Sequence, residues 1–281
     1  MTIENFLTVD LEDYYQVSGM ADVAPIGTWG DFESRIEGSV ERLLEALGSV
    51  KATFFVLGWQ AETRPEIVRR IDRAGHEIAT HGRLHRLVTS LSREEFREDI
   101  SAGVRTLEDL IGKAVFGHRA PSFSVTDQTP WVFEVLVELG LRYDSSVVPA
   151  RRSRGGMPGA GTRPYVIDTP AGPLLEFPVC VWKIAGCMVP AAGGGFLRTY
   201  PYWLTTRIIR RMNAAGAPAV VYVHPWEADP GQPRLKSRWT RDGFKHYVGL
   251  RTTRGKVRRL SMDFKWRRMG DAIGEVVVGG E

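Results

Sequence analysis

Short apolar runs alternate along this chain with longer stretches in which apolar residues recur every three or four positions. Phe6-Leu7-Thr8-Val9-Asp10 reads as a first strand that ends in acids. Val40, Leu43, Leu44 and Leu47 then keep helical spacing until Gly48 stops them. Residues 52–57 are β-branched and aromatic, which predicts a second buried strand. Residues 65–74 predict a helix with Ile67, Val68 and Ile71 on one face, and Glu77-Ile78-Ala79-Thr80 a third strand. Ser92 with Glu95 three residues on is a capping-box pattern, opening a long helix that runs to Ile111 before Gly112. A short strand at 114–116, a helix at 127–139 and a strand-and-loop at 143–148 follow. The Gly-, Arg- and Pro-rich run 151–164 predicts an irregular loop. Beyond it come a strand within 174–182, a flexible turn at 192–196, a helix over 202–215 and a last clear strand at 218–224. After Arg234 the periodicity weakens.

Strands that alternate with helices imply parallel pairing, because parallel neighbours need crossover connections. Six or seven such units over about 230 residues predict an α/β fold, a distorted barrel of about seven parallel strands. Residues 1–230 then make one domain, and residues 231–281 a basic C-terminal extension packed on it.

Composition changes this picture little. The chain has 281 residues, 43% hydrophobic and 25% charged, with no apolar run long enough to span a membrane. The N-terminus goes directly into a strand without a basic and apolar leader, so a cytoplasmic location is expected, with the inner membrane surface as a variant. Cys180 and Cys187 match no redox or zinc spacing and are expected to be a reduced, buried pair. The net charge of +4 is uneven: residues 234–268 hold thirteen Lys/Arg against two acids, Asp242 and Asp263. Such a stretch can sit on an anionic surface or cover an acidic face of its own protein. Nucleic acid is not expected as a partner.

The candidate chemistry gathers where strands end. His81 and His85 follow the third strand at a spacing that lets two imidazoles point at one centre, and neutral imidazole is a common zinc ligand. A catalytic site asks for a third ligand, and Asp10, Glu12 and Asp13 end the first strand. One of these acids can complete a metal site, and another can act as a base on water whose pKa a metal has lowered. If the strand runs through Glu12, Asp10 and Glu12 share a face and Asp13 points away; a turn at Leu11 favours Asp13. Arg119, in Arg119-Ala120-Pro121, can hold Asp10 by a charge-assisted contact. His224, ending the last strand, can be a general acid, and Asp144 can orient it and raise its pKa.

In order, T-V-D-L-E-D (8–13), H-G-R-L-H (81–85), R-A-P (119–121), D-S-S (144–146) and V-Y-V-H-P-W-E (221–227) resemble the motifs of the polysaccharide deacetylases of the NodB-homology group, carbohydrate esterase family four. The wording DLEDYYQV, RAPSFS and HPWE is similar to the exosortase-associated exopolysaccharide branch. The resemblance covers about residues 5–230. It implies a divalent metal, usually zinc, with cobalt or another ion possible, and removal of N-acetyl groups from amino sugars of a polysaccharide, an oligosaccharide or a lipid-linked precursor. Carried over by position, Asp10 is the base, His81 and His85 are metal ligands, Arg119 tethers Asp10, His224 is the acid and Asp144 its support. Related branches place the carboxylate ligand at Glu12, and Asp13 stays open. A backbone N–H near Tyr14 would stabilise the oxyanion. Gly82, in place of a small hydroxyl residue, is expected to matter little. Trp182, Trp226, Tyr14 and Tyr15 are expected in the core rather than as sugar platforms. The rival readings are a same-fold amidohydrolase or deformylase on a small amide, and a carbohydrate-binding protein without catalysis.

Overall fold

The computed structural model describes residues 3–236 and 240–275; Arg238 of the basic stretch lies outside them. In chain order the elements are β1 (Glu4–Leu11), α1 (Ile36–Leu47), β2 (Thr53–Val56), α2 (Gly58–Thr63), α3 (Pro65–Arg73), β3 (Glu77–Thr80), α4 (Arg93–Ile111), β4 (Gly117–His118), α5 (Trp131–Glu138), β5 (Tyr143–Asp144), β6 (Tyr165–Thr169) and β7 (Gly172–Glu176). They continue with β8 (Val181–Ile184), β9 (Cys187–Pro190), α6 (Gly194–Thr199), α7 (Tyr202–Ala214), β10 (Val220–Val223), α8 (Arg241–Tyr247), α9 (Leu250–Asp263) and β11 (Lys265–Arg267).

The strand order β10-β1-β2-β3-β4-β5-β7 is parallel throughout, the expected run of seven, with β6 added antiparallel at one edge. Side chains alternate across this sheet as a period of two demands. Leu7, Val9, Leu11, Phe54, Val56, Val221 and Val223 face the helices. Phe6, Phe55, Ala79, Tyr143, Phe177, Val220 and Tyr222 meet in one cluster on the other face. Strands from both ends of the order share that cluster, so the sheet curls around it. No ladder among the described residues closes it into a full barrel. Past β7 the chain does reach β10 through the Cys180 N–H, which donates to the Val220 carbonyl at 3.2 Å.

Local signals explain most boundaries. Ser92 Oγ accepts from the Glu95 N–H while the Glu95 carboxylate accepts from the Ser92 N–H, and Gly112 ends α4 in the left-handed conformation. Pro130 delays the predicted 127–139 helix, so α5 begins at Trp131. The expected turn at 192–196 instead opens α6, and β8 and β9 form a separate hairpin.

The weakly periodic stretch after Arg234 is ordered into α8, α9 and β11. Val257, Leu260 and Trp266 are buried, and β11 pairs with the first residues of β1. Beyond β11, the N–H groups of Met269 and Gly270 donate to Thr53 Oγ1 and Glu77 Oε2. Its basic residues serve the protein itself: Arg254 pairs with Glu45, Arg268 with Asp271 and Lys236 with Asp22, and the Lys256 ammonium donates to the carbonyls of Leu197, Arg198 and Tyr200. This leaves the expected anionic-surface contact without structural support. The cysteines are both free, but only Cys180 is buried; Cys187 is exposed on β9, which corrects the expected buried pair. Among the described residues no helix is long and apolar enough to cross a membrane.

Candidate metal centre and active site

The C-terminal ends of β1, β3, β4 and β10 converge on one buried cluster. Asp10 is the penultimate residue of β1. The strand stops at Leu11, yet the acid that enters the cluster is Glu12. The Glu12 N–H turns back to the Asp10 carbonyl at 3.0 Å, a tight three-residue turn that keeps Glu12 beside Asp10. Asp13 points away. Its carboxylate accepts from the Tyr14 N–H at 2.9 Å, from Ser34 Oγ at 2.8 Å and from the Arg35 N–H at 2.9 Å. It therefore braces the entry to α1 and is no part of the metal-type cluster, against the sequence expectation. The Tyr14 N–H itself is engaged by the same carboxylate.

His81 follows β3. Its Nδ1 lies 2.7 Å from the Arg119 carbonyl, which fixes that nitrogen as the donor and leaves Nε2 with a bare lone pair. Burial first, and then the adjacent His85, hold His81 well below its ordinary pKa, so the ring is neutral. His85 sits at φ 50°, a left-handed conformation rare outside glycine. Its Nε2 is 3.4 Å from Glu12 Oε2, and His81 Nε2 is 4.0 Å from Glu12 Oε1. Burial pushes Glu12 up, but His85 and His224 outweigh it and hold the carboxylate below its usual range. Glu12, His81 and His85 offer one ligand atom each within 4.8 Å of one another. His81 Nε2 and Glu12 Oε2 are buried with no hydrogen-bond partner. Unpaired buried acceptors are costly, and two imidazoles with one carboxylate are a donor set that suits a divalent metal. The residues present fit a metal.

Gly82 matters more than its sequence position implied. It adopts φ +74°, and a Cβ there would meet Asp99 Oδ2 at 2.6 Å. That carboxylate accepts the Arg83 N–H at 2.7 Å and so shapes the loop between the two histidines. A serine here would be strained twice, by the backbone and by the contact.

Arg119, fully buried after β4, fans out over three elements. Nη1 donates to Asp10 Oδ1 at 2.7 Å and to Thr8 Oγ1 at 2.8 Å; Nε and Nη2 donate to the carbonyl and hydroxyl of Ser145. Its guanidinium lies 4.1 Å from the centre of the Phe55 ring. Asp10 is thus held by one oxygen, and its other, Oδ2, is 3.8 Å from His224 Nε2.

Asp144 does not orient His224. It is buried behind Arg119, with Oδ1 2.7 Å from His118 Nδ1 and 2.7 Å from Ser146 Oγ. Beside it, burial and the Asp144 charge push Glu176 far up, so Glu176 keeps the proton of this pair. The carboxylate at His224 Nδ1 is Glu227, while Glu12 Oε1 lies 3.3 Å from His224 Nε2. Glu227 Oε2 lies 3.3 Å from His224 Nδ1 and accepts the His224 N–H at 3.0 Å, while its Oε1 pairs with Arg198 at 2.7 Å. Arg198 in turn donates to the carbonyls of His246, Lys245 and Val248. The rings of His224, Trp226 and His246 stack in series. Burial opposes protonation of His224, but Glu227, Glu12 and Asp10 outweigh it and lift the imidazole from 6.5 to about 9. Glu227 stood in the quoted HPWE motif without a role. Its spacing of three from His224 on a tight turn was the available signal. Arg198, on α6, gave none.

Asp10, Glu12 and His224 line a cavity of about 220 Å³, with Arg152, Arg154 and Trp226 also on its wall. Tyr14 and Tyr15 pack in the core as expected.

A family profile described as polysaccharide deacetylase matches residues 28–143, and that of a domain of unknown function (DUF3473) matches residues 145–274. A peptidoglycan deacetylase of Helicobacter pylori is 31% identical over 114 residues, 40% of this chain and 38% of that protein. A peptidoglycan-N-acetylglucosamine deacetylase of Bacillus cereus is 37% identical over 87 residues, 31% of this chain and 32% of that protein. The chain therefore spans well under half the length of these curated relatives. A crystal structure from Mycobacterium smegmatis, of a protein assigned to the polysaccharide deacetylases, superposes with a TM-score of 0.63 at 25% identity, covering 98% of this chain and 91% of that one. The first profile spans His81, His85 and Arg119, and the solved relative follows nearly the whole chain. Residues 28–143 are thus a polysaccharide deacetylase domain of the NodB-homology group, and the profile over residues 145–274 is consistent with the exosortase-associated branch.

Proposed function

We propose that this chain is a metal-dependent hydrolase that removes N-acetyl groups from amino sugars of a polysaccharide or its lipid-linked precursor, releasing acetate. One observation carries the reading: an anchored carboxylate and an imidazole, Asp10 Oδ2 and His224 Nε2, face each other at 3.8 Å beside the metal-type donors of Glu12, His81 and His85. The deacetylase names of the relatives support it.

A divalent ion held by Glu12, His81 and His85 would supply a Lewis acid and a water molecule of lowered pKa, and zinc is the ion this donor set suits best. The remaining work falls to the protein. Asp10 takes the proton of the attacking water at Oδ2, since Arg119 engages its other oxygen. Attack on the acetamide carbonyl leads to cleavage of the C–N bond. His224 gives its proton from Nε2 to the departing amine, and Glu227 at Nδ1 holds the ring in register throughout. Products are acetate and the free amino sugar. Exopolysaccharide synthesis is the setting we propose, at the cytoplasmic side of the membrane, which cell fractionation would test.

The test is acetate release from N-acetylated oligosaccharides by chelator-treated and zinc- or cobalt-restored protein, beside Asp10→Asn. Release that needs the metal and falls at least about a hundredfold in the variant, with metal content unchanged, supports the reading. Retained turnover in Asp10→Asn would sink the base assignment. Absence of turnover with metal bound would sink the deacetylase.

A further inference from the structure

The Arg-rich run after Ala150, which the proposed chemistry does not use, is set against the active-site mouth. Its backbone lies directly on the segment that follows Arg119. The Gly156 N–H donates to the Val125 carbonyl and the Met157 N–H to the Val148 carbonyl, both at 2.9 Å. A Cβ at residue 155 would meet the Phe123 carbonyl oxygen at 2.0 Å, and one at residue 156 the Ala150 oxygen at 2.2 Å. Both positions therefore require glycine, and the close approach they allow fixes where the arginines stand. Arg152 Nη1 donates to the Ser122 carbonyl at 3.3 Å and its guanidinium lies 5.5 Å from the centre of the Phe123 ring.

Arg152 and Arg154 line the same cavity as Asp10, Glu12 and His224. Both are exposed, and neither has an ion-pair partner among the described residues. The acid whose charge reaches Arg154, Asp22, is bound by Lys236 at 2.7 Å. The third arginine of the wall, Arg198, is neutralised by Glu227. The cavity, at about 220 Å³, is smaller than the roughly 300–1,000 Å³ of sites that enclose drug-sized ligands. A cavity of this size suits about one sugar unit and leaves the flanking groups at the rim, where the guanidiniums of Arg152 and Arg154 stand without ion-pair partners among the described residues. Guanidinium suits planar, bidentate capture of carboxylate or phosphate oxygens.

We propose that Arg152 and Arg154 form an oxyanion-binding subsite at the rim, so that the N-acetylated sugar taken by this chain carries or adjoins a carboxylate or phosphate group. This rests on the deacetylase reading above and narrows its substrate.

The experiment compares three probes on zinc-restored protein: a neutral N-acetylated chitotetraose, a tetrasaccharide alternating N-acetylglucosamine with glucuronate, and N-acetylglucosamine 1-phosphate. Acetate release and calorimetric binding are both read. An anionic probe is expected to exceed the neutral one by about tenfold in kcat/KM, with the advantage lost at roughly 1 M NaCl, where the screening length is about 3 Å. The preference for the uronate or for the phosphate probe identifies the source of the oxyanion. In Arg152→Ala/Arg154→Ala the anionic-to-neutral ratio should fall toward one, and the double lysine variant should regain part of it. Equal rates on neutral and anionic probes, or an unchanged ratio in the double alanine variant, overturn the subsite and leave the deacetylase standing. If no probe releases acetate, the deacetylase reading fails, and binding decides the subsite: loss of anionic-probe binding in the alanine variant supports it, equal affinity overturns it.

Discussion

Glu227 stands 3.3 Å from His224 Nδ1 and also accepts the His224 backbone N–H, so a single carboxylate grips the imidazole at ring and main chain. Arg198 closes the arrangement from the far side, and it is itself held by three carbonyls of residues 245–248. Glu227→Ala removes the partner of the proposed acid and is expected to lower kcat by about 10- to 100-fold, the range for groups that orient a reacting side chain. Asp144→Asn should leave the His224 ring where it is and act through the buried His118 and Arg119 surroundings instead. The pH profile of kcat separates them: Glu227→Ala lowers the pKa of the His224 limb and Asp144→Asn leaves it in place, while both lower Tm, since Glu227→Ala also strips the buried Arg198 of its carboxylate.

Glu12 and Asp13 are neighbours with opposite duties. Glu12→Gln is expected to reduce bound zinc, measured by metal analysis after dialysis, by about 10- to 100-fold in affinity. Asp13→Asn should retain the metal and lose about 1 kcal/mol of stability, because the weakened acceptor holds the N–H groups of Tyr14 and Arg35 less well. The reverse pattern would make Asp13 the ligand.

Gly82→Ser restores a hydroxyl residue at that position of the histidine motif and is nonetheless expected to destabilise the protein by about 1–3 kcal/mol, since φ +74° and the Asp99 carboxylate both reject a Cβ. Denaturant unfolding reads the loss. A variant as stable as the parent would show that the loop between His81 and His85 adapts freely.

Two buried histidines outside the site make the fold acid-sensitive. Burial, with Lys51 and Arg268 nearby, lowers His76 to about 4, and burial with Arg198 lowers His246 to about 3. Each is neutral in the folded protein and protonates more readily when unfolded. The unfolded state thus binds more protons below pH 6.5, and stability falls as pH drops from there toward 4 and 3. Each group adds a slope of at most about 1.4 kcal/mol per pH unit. His76→Gln should flatten the fall of Tm between pH 6.5 and 4; an unchanged profile would remove His76 as a cause.

Much of the fold is legible in the residues themselves. Alternating apolar runs and helical spacings mark the parallel strands and their crossovers, and Ser92, Glu95 and Gly112 mark both ends of α4, because these signals act within one turn of chain. The donors at strand ends are legible too, since a parallel sheet brings all C-terminal strand ends to one side. The remaining assignments depend on contacts between distant segments. Glu12 enters the site and Asp13 does not because Ser34 and Arg35 capture the Asp13 carboxylate. Glu227 serves His224, and Asp144 does not, because His118 and Ser146 enclose Asp144 behind Arg119. The weakly periodic basic tail is an integral part of the sheet and core because its charges find acids and carbonyls far back in the chain, which no local pattern of hydrophobic positions records.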